Sequence, residues 1–561
     1  MTDTRPEGAG VDPEGATPPS GTGDNSVARN SAIMAMGTFG SRILGFVRMA
    51  LLTGVVGAAL ASDSYTVANS LPTQIYVLIN GGLLSALLIP QITKAMLRKD
   101  GGQDFSDRLI TACFLVLGVS TIACLAAAPW IVRLLSDNDR PNYLSLTTTM
   151  AYICLPQLFF YGLYSVLGQV LNARGHFVAY AWAPAWANVV QIIGLTWFII
   201  QWGKQPTVDT WTPAMIWLLG GTTTLGIVVQ GVCLVAPLLR SGFAYRPRFG
   251  WRGYGFGEMS RMGMWTIAAL LVSQAYGFLS TYTYSTGSSR ADNVAGNGAQ
   301  GYAYTFYMLP HSIITISIIT AMFPAMSRAH EQGDLAAMRR WLVHGLTAPA
   351  VLVLPASAAL IALGRPLVST LLPGTDYIPS KGIDQARDIA LILAVSAVGS
   401  VPFGITALKQ RYCFARGDGK MNFWTVVLLM AGNALGCVVA LLWTAPQYVV
   451  AVVAGGASIS NFIAAGAFLL IARSQLGGLN LATVARMWTR LTVAATISGV
   501  AGWGVAALIA DPGSPWLSQF LALACGGIAL AVVFYGFARL MKIREVDEML
   551  APILRRLPGR A

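Results

Sequence analysis

The chain has 561 residues, of which 55% are hydrophobic and 11% charged, and its 37 Lys and Arg outnumber 24 Asp and Glu to leave a net charge of +13. A soluble domain carries about 25% charged residues, so this composition excludes an ordinary soluble enzyme or nucleic-acid-binding module. Apolar stretches of about 20 residues recur from residue 31 to residue 541 and mark a polytopic membrane protein. Helices are expected, because a spanning helix satisfies its own backbone hydrogen bonds and the ten-residue alternation of a barrel is absent.

In chain order, residues 1–30 are rich in Gly, Pro, Asp, Glu and Ser and read as a disordered cytoplasmic tail without the apolar core of a signal peptide. Fourteen helices are expected, with cores at 31–52, 65–93, 109–135, 145–171, 178–200, 213–238, 259–284, 300–327, 341–362, 389–412, 423–444, 448–471, 487–508 and 516–540. They group as an N-lobe of six helices (31–238), a basic cytoplasmic linker (239–258), a C-lobe of six (259–471), a final helix pair (472–541) and a C-terminal cytoplasmic tail (542–561). Ala445, Pro446 and Gln447 separate the eleventh span from the twelfth.

Charge supports this count. With both termini inside, the cytoplasmic segments hold 28 Lys and Arg and the outer loops hold 7, while Arg42 and Arg48 remain within the first span. The asymmetry follows the positive-inside rule along the whole chain, and the inner basic segments suit anionic phospholipid headgroups. The two halves also echo each other. LP at 71–72 precedes SALLIPQITKA (85–95), as LP at 309–310 precedes TAMFPAMSRA (320–329); LPQ (155–157) leads to LNARGHF (171–177), as VPF (401–403) leads to CFARGDG (413–419). Two such pairs in one order suggest a parallel duplication, a plan that places a cavity between two bundles.

A charge at bilayer depth costs about 2.5–3.5 kcal/mol on insertion scales, so Arg42 and Arg48 demand a reason. Either they snorkel or pair with buried carbonyls, or they line a wet cavity and attract an anion. Six residues of helix turn through about 600°, which sets the two roughly 120° apart, so they border a broad cavity without pointing along one line. A guanidinium stays charged and makes forked contacts with phosphate oxygens, which favours a phosphorylated or carboxylated substrate. Asp63, just before the second span, reads as a cap of that helix or a partner of a cavity arginine. The polar half of the seventh span, around Gln274, reads as sugar or headgroup contacts or as an interfacial belt. Lys409, Gln410 and Arg411 mark an inner boundary or receive phosphate from the cytoplasm. His311 reads as a packed histidine. Seven cysteines without paired spacing and four unclustered histidines argue against a disulfide scaffold or a metal site. The chain lacks a P-loop, a kinase signature and a nucleophile elbow, so an enzyme is not expected.

The ordered set SRILGFVRM (41–49), LP (71–72), SALLIPQITKA (85–95), LPQLFFYGLYSVLGQVLNARGHF (155–177) and LP followed by TAMFPAMSRA (309–329) resembles the MurJ/MviN family of lipid II flippases, in the superfamily of MATE exporters and polysaccharide flippases, over about residues 28–540. The ARG and NARG segments look closest to its actinobacterial branch. That branch often continues into a pseudokinase-like region, so a chain ending in VDEMLAPILRRLPGRA reads as a short paralogue or as a longer protein cut after its transport part.

The resemblance implies fourteen helices and movement of a polyprenyl-pyrophosphate-linked peptidoglycan precursor from the inner to the outer leaflet of the bacterial plasma membrane. It also implies membrane potential or a monovalent cation as driver, no cofactor, and cell-wall synthesis or division proteins as further partners. It assigns Arg42, Arg48 and Asp63 to the substrate site. The chain departs from the family pattern at Met49, where many members have aspartate; at Thr73, in place of asparagine; at Tyr76 and Thr305, where two further cavity arginines fall; and at Met308, in place of glutamate. Those departures keep open a flippase for another polyprenyl-phosphate glycan. A cation-coupled exporter is disfavoured by the scarcity of buried acids, and a non-transporting scaffold by the cost of the buried arginines.

Overall fold

Continuous apolar runs punctuated by Pro, Gly and charged loops fold into a bundle of long helices. The computed structural model describes residues 23–80, 103–174, 176–243, 245–250, 261–291, 293–543 and 545–546. The first part of the chain forms α1 (Gly23–Val56), α2 (Leu60–Ile79), α3 (Gln103–Leu135), α4 (Pro141–Cys154), α5 (Gln157–Ala173), α6 (Phe177–Trp202), α7 (Pro213–Val232) and the short α8 (Val235–Arg240). The second forms α9 (Arg261–Arg290), α10 (Asn297–Pro310), a π-turn (His311–Thr315), α11 (Ile316–Glu331), α12 (Leu335–Ala362), α13 (Gly364–Leu371), α14 (Gln385–Val398), α15 (Ser400–Ala415), α16 (Gly419–Trp443) and α17 (Val449–Gln475). A last pair, α18 (Leu481–Ile509) and α19 (Trp516–Leu540), packs together. A two-residue hairpin, β1 (Tyr377–Ile378) with β2 (Ile383–Asp384), sits between α13 and α14.

Among the described residues, twelve helices or helix runs are long and apolar enough to cross a membrane, and a thirteenth results if α14 and α15, bent by 53° at Gly399, form one span. The expected second span is described only through residue 80, and SALLIPQITKA lies outside the described residues. So do residues 251–260 of the linker and 547–561 of the C-terminal tail. Helix α1 starts at Gly23, inside the segment expected to be an unstructured tail. A polar stretch extends a helix at little cost once the adjoining apolar segment has nucleated it.

The helices pack through small residues, as membrane bundles do. A Cβ on Gly37 of α1 would stand 3.0 Å from the Ala181 carbonyl of α6, and one on Gly456 of α17 would stand 2.7 Å from the Gly436 Cα of α16. The α18–α19 crossing is equally tight, a Cβ on Gly502 falling 2.8 Å from the Gly526 carbonyl. Large apolar side chains such as Trp197, Trp217, Trp443 and Leu508 point outward, toward the position of lipid.

The internal echo has a structural counterpart. The LP helices α2 and α10 pack against each other, and the LPQ and VPF segments fall at or beside the breaks between α4 and α5 and between α14 and α15. Proline removes an amide donor, and glycine tolerates the altered backbone.

Candidate functional site

The candidate site is the seam where α1 and α2 meet α9, α10 and the π-turn. Arg42 of α1 is half-buried, and its Nη1 donates to Ser312 Oγ in the π-turn at 2.6 Å. A residue of the candidate span Met36–Val56, in the first half of the chain, thus grips one from the second half. The π-turn follows Pro310, and π-turns of this kind concentrate at functional positions. His311 beside it is fully buried between Tyr307 and Phe403, with Nδ1 3.2 Å from Thr315 Oγ1 and Nε2 unpartnered.

Arg48 turns the other way. Its Nη1 donates to Gln191 Oε1 of α6 at 3.0 Å, and its buried Nε has no hydrogen-bond partner among the described residues. It lies within electrostatic reach of the Tyr65, Tyr161 and Tyr302 hydroxyls. Around it, Tyr65 and Thr223 share a hydrogen bond at 3.1 Å, and Gln157 Nε2 donates to Asn69 and Thr224. A cluster of this polarity inside a membrane bundle is costly, and it is typical of a substrate path. The two arginines therefore have different neighbours, as their spacing around α1 requires.

Asp63 is fully buried in the first turn of α2 and makes neither of the contacts expected of it. The cap residue of α2 is Ala59, and the Asp63 carboxylate crosses the seam instead: Oδ1 accepts from the Gly298 amide at 2.8 Å, in the first turn of α10. A carboxylate is favoured there by the unsatisfied amides of a helix N-terminus. The approach is close enough to demand glycine. A Cβ on Gly296 would fall 1.8 Å from Asp63 Oδ2, and one on Gly298 would fall 2.0 Å from Ser62 Oγ. Ser62 donates to the Tyr302 hydroxyl, which donates to the Gly57 carbonyl at 3.2 Å.

Further contacts close the same end. Asp137 accepts from the Tyr282 hydroxyl at 2.7 Å and from Ser289, while its backbone amide donates to Ser285. Lys204 Nζ meets Asp376 Oδ1 at 2.6 Å. Gly374 lies so close to the last turn of α1 that a Cβ there would overlap the Thr53 carbonyl at 1.7 Å. Deeper in the seam, Gln274 Nε2 donates to the Gln74 carbonyl at 2.7 Å, so Gln274 ties α9 to α2.

The remaining expected positions scatter. Tyr76 is half-buried against Tyr161, with ring centroids 5.8 Å apart. Thr73 and Thr305 are exposed, and the Thr305 hydroxyl folds back onto the Gly301 carbonyl. Lys409 is only 3% exposed inside the C-lobe, and Arg411 lies over the Phe323 ring at 5.5 Å. Neither forms part of the seam. Sequence reasoning missed Ser312, Gln191, Gln74, Ser62, Tyr302 and Asp137. Of these, only Ser62 and Tyr302 had a readable signal, the glycine-rich AGNG segment (295–298) that lets α10 approach α2.

A second feature adjoins the seam-forming helices. An apolar cleft of about 510 Å³ opens between α12, α14, α15 and α17 on one side and α18 on the other, with Val398, Phe462 and Trp488 among its walls.

The lipid II flippase MurJ family model matches residues 52–523 of the chain. A curated relative from Synechocystis sp., named probable lipid II flippase MurJ, is 25% identical over 492 residues, covering 86% of this chain and 89% of its own length. A relative of the same name from Rhizobium meliloti is 25% identical over 531 residues, covering 91% and 93%. Among solved structures, a lipid II flippase MurJ in an inward closed conformation shares the fold at a TM-score of 0.69 and 17% identity, covering 91% of this chain and 99% of its own. An inward-facing MATE-family multidrug transporter follows at 0.60 and 17%, covering 80% and 97%. With the family model spanning most of the chain, from residue 52 to residue 523, the chain belongs to the MurJ family of lipid II flippases.

Proposed function

We propose that this chain moves lipid II, the polyprenyl-pyrophosphate-linked peptidoglycan precursor, from the inner to the outer leaflet of the bacterial plasma membrane by alternating access. It is a transporter and not an enzyme. The observation that carries the reading is the Arg42–Ser312 hydrogen bond, which puts a permanent cation of one lobe in the grip of the other at bilayer depth. In this reading the pyrophosphate competes with Ser312 for Arg42 and draws on Arg48 from the opposite side of α1, so binding loosens the seam that holds the lobes together. The apolar cleft beside α18 suits the polyprenyl tail. Counting α14–α15 as one span and taking α2 as the start of another gives fourteen spans in a six, six and two arrangement, with both termini inside and the Asp63 seam at the outer end. Membrane potential acting on the bound charges supplies the drive, at about 2.3 kcal/mol per charge per 100 mV.

A second reading, another polyprenyl-phosphate-linked glycan, is favoured by Tyr76, which lies against Tyr161 at a tilt of 34° where the family resemblance places an arginine. The same departures support placement near the actinobacterial branch. Native mass spectrometry of the purified chain against lipid II, other polyprenyl-linked glycans and phospholipids tests binding, and a headgroup-accessibility assay in cells depleted of the protein tests movement. Preferential retention of lipid II, with loss of outer-leaflet headgroup on depletion, is expected. Retention of another glycan lipid in its place would select the second reading.

A further inference from the structure

A cleft of about 530 Å³ separates α12, α13 and α14 from α18 and α19, next to the hairpin and distinct in chemistry from the arginine seam. Its walls are apolar, formed by Ile361, Leu391, Trp503 and Ala507, and Trp503 and Leu391 open toward the lipid side of the bundle. Its rim is not apolar. Arg365 and Arg387 stand on one side and Asp511 on the other.

The charges at this rim are incompletely satisfied. Arg365 Nη2 is held by Asp384 at 2.8 Å and its guanidinium lies over the Tyr377 ring at 5.6 Å, yet its buried Nε has no hydrogen-bond partner. Arg387 is exposed in the first turn of α14, where its backbone amide donates to Asp384 and Asp388 is its neighbour in sequence. No ion pair of its guanidinium occurs among the described residues. Asp511 is exposed just past α18, and its backbone is pinned on both sides: the amide donates to Ser514 and the carbonyl accepts from Gln519. Among the described residues its carboxylate has no hydrogen-bond or ion-pair partner, and Asp511 lines the cleft. An apolar slot of this volume with a few convergent polar groups has the form of a ligand site. A rim carrying both signs, where guanidinium and carboxylate do not neutralise each other, matches a headgroup that carries both signs.

We propose that this cleft binds a phospholipid with a zwitterionic, primary-amine headgroup. Arg387 takes the phosphate with the Arg365 guanidinium beside it, Asp511 accepts from the ammonium, and the acyl chains lie along Trp503 and Ile361. A quaternary ammonium has no N–H to give Asp511, and an anionic glycerol headgroup meets its charge unfavourably. The site is independent of the transported lipid.

The test is native mass spectrometry of the full chain in detergent, titrated with phosphatidylethanolamine, phosphatidylcholine and phosphatidylglycerol of matched acyl chains. Phosphatidylethanolamine is expected to be retained best. Arg387→Gln lowers retention of phosphatidylethanolamine and phosphatidylcholine alike by about ten-fold, the size of one charge-assisted hydrogen bond. Asp511→Asn removes the preference for the amine and leaves phosphatidylcholine binding unchanged, and Ala507→Trp blocks the slot for all three. Equal retention of the three lipids by the wild-type chain, a preference for phosphatidylglycerol, or retention unaffected by Ala507→Trp would overturn the proposal. So would displacement of the bound phospholipid by an equimolar polyprenyl-pyrophosphate lipid, which would assign the cleft to the cargo.

Discussion

Asp63 and Gly298, 235 residues apart in the chain, are joined across the seam by one hydrogen bond of 2.8 Å from a backbone amide to a fully buried carboxylate. The bond stitches the first turn of α2 to the first turn of α10, two helices whose LP motifs mark them as equivalent members of a repeat.

Replacing Asp63 by Ala removes the acceptor for an N-terminal amide, a loss worth about 1 kcal/mol for an ordinary helix cap. The closed seam should become less populated. The measurement is the cross-linking yield of a Lys204→Cys, Asp376→Cys pair, which falls in the Asp63→Ala background and is largely kept with Asp63→Asn, where Oδ1 still accepts. Gly298→Ala should lower the yield further, because its Cβ meets Ser62 Oγ at 2.0 Å.

Lys204 and Asp376 form a half-exposed ion pair, of the kind worth about 0–1 kcal/mol. Lys204→Glu sets two carboxylates against each other and should raise thiol labelling of Ser62→Cys, which is otherwise fully buried. The double change Lys204→Glu, Asp376→Lys should restore protection. The difference between single and double variants should shrink at high ionic strength, as screening shortens the reach of the charges.

Arg42→Ala should weaken lipid II binding by about ten-fold or more. Ser312→Ala separates the two roles of Arg42: with its competitor gone, lipid II affinity should hold or rise while seam cross-linking drops. Equal loss of affinity in both variants would argue that Ser312 orients Arg42 for the cargo.

Arg48 depends on Gln191, which is only 4% exposed. Gln191→Leu strands a guanidinium whose Nε is already unpartnered, and an unsatisfied buried polar group costs about 1–3 kcal/mol, more when charged. A clear drop in the melting temperature of the detergent-solubilised protein is expected, larger than for Gln157→Leu, whose partners are neutral.

Gly436→Val should destabilise the bundle by about 1–3 kcal/mol, the usual cost of overpacking, since α16 and α17 touch backbone to backbone there. Thermal melting should report the loss, while lipid II binding per folded molecule stays near wild type because the crossing lies away from the seam.

The helical spans were legible because bilayer thickness imposes a length that composition reveals, and Arg42 and Arg48 were legible because a charge in that setting is anomalous. Their partners were not. Ser312 and Gln191 are neutral polar residues that read as filler in an apolar run, and only long-range packing makes them acceptors. Asp63 was legible as a notable residue but its partner was not, because a carboxylate in a first turn ordinarily caps its own helix. Here Ala59 holds that position, and the nearest free amides belong to α10. The hairpin at 377–384 left no trace in a reading tuned to helices. Lys409, read with Gln410 and Arg411 as a boundary or a phosphate entry, is buried, because the three point in directions about 100° apart around α15 and Lys409 is the one on its packed side.

Gly374 leans on the last turn of α1, and Arg42 and Arg48 project from the same helix some turns below. In the proposed function, the arginines that meet the pyrophosphate and the turn that meets Gly374 thus belong to one helix. If the two are coupled, thermodynamic reciprocity sets the terms: the factor by which a bound ligand shifts the closing of the loop against Thr53 is the factor by which closing shifts affinity for that ligand. A gate that closes more firmly cannot be had without altering the load it releases.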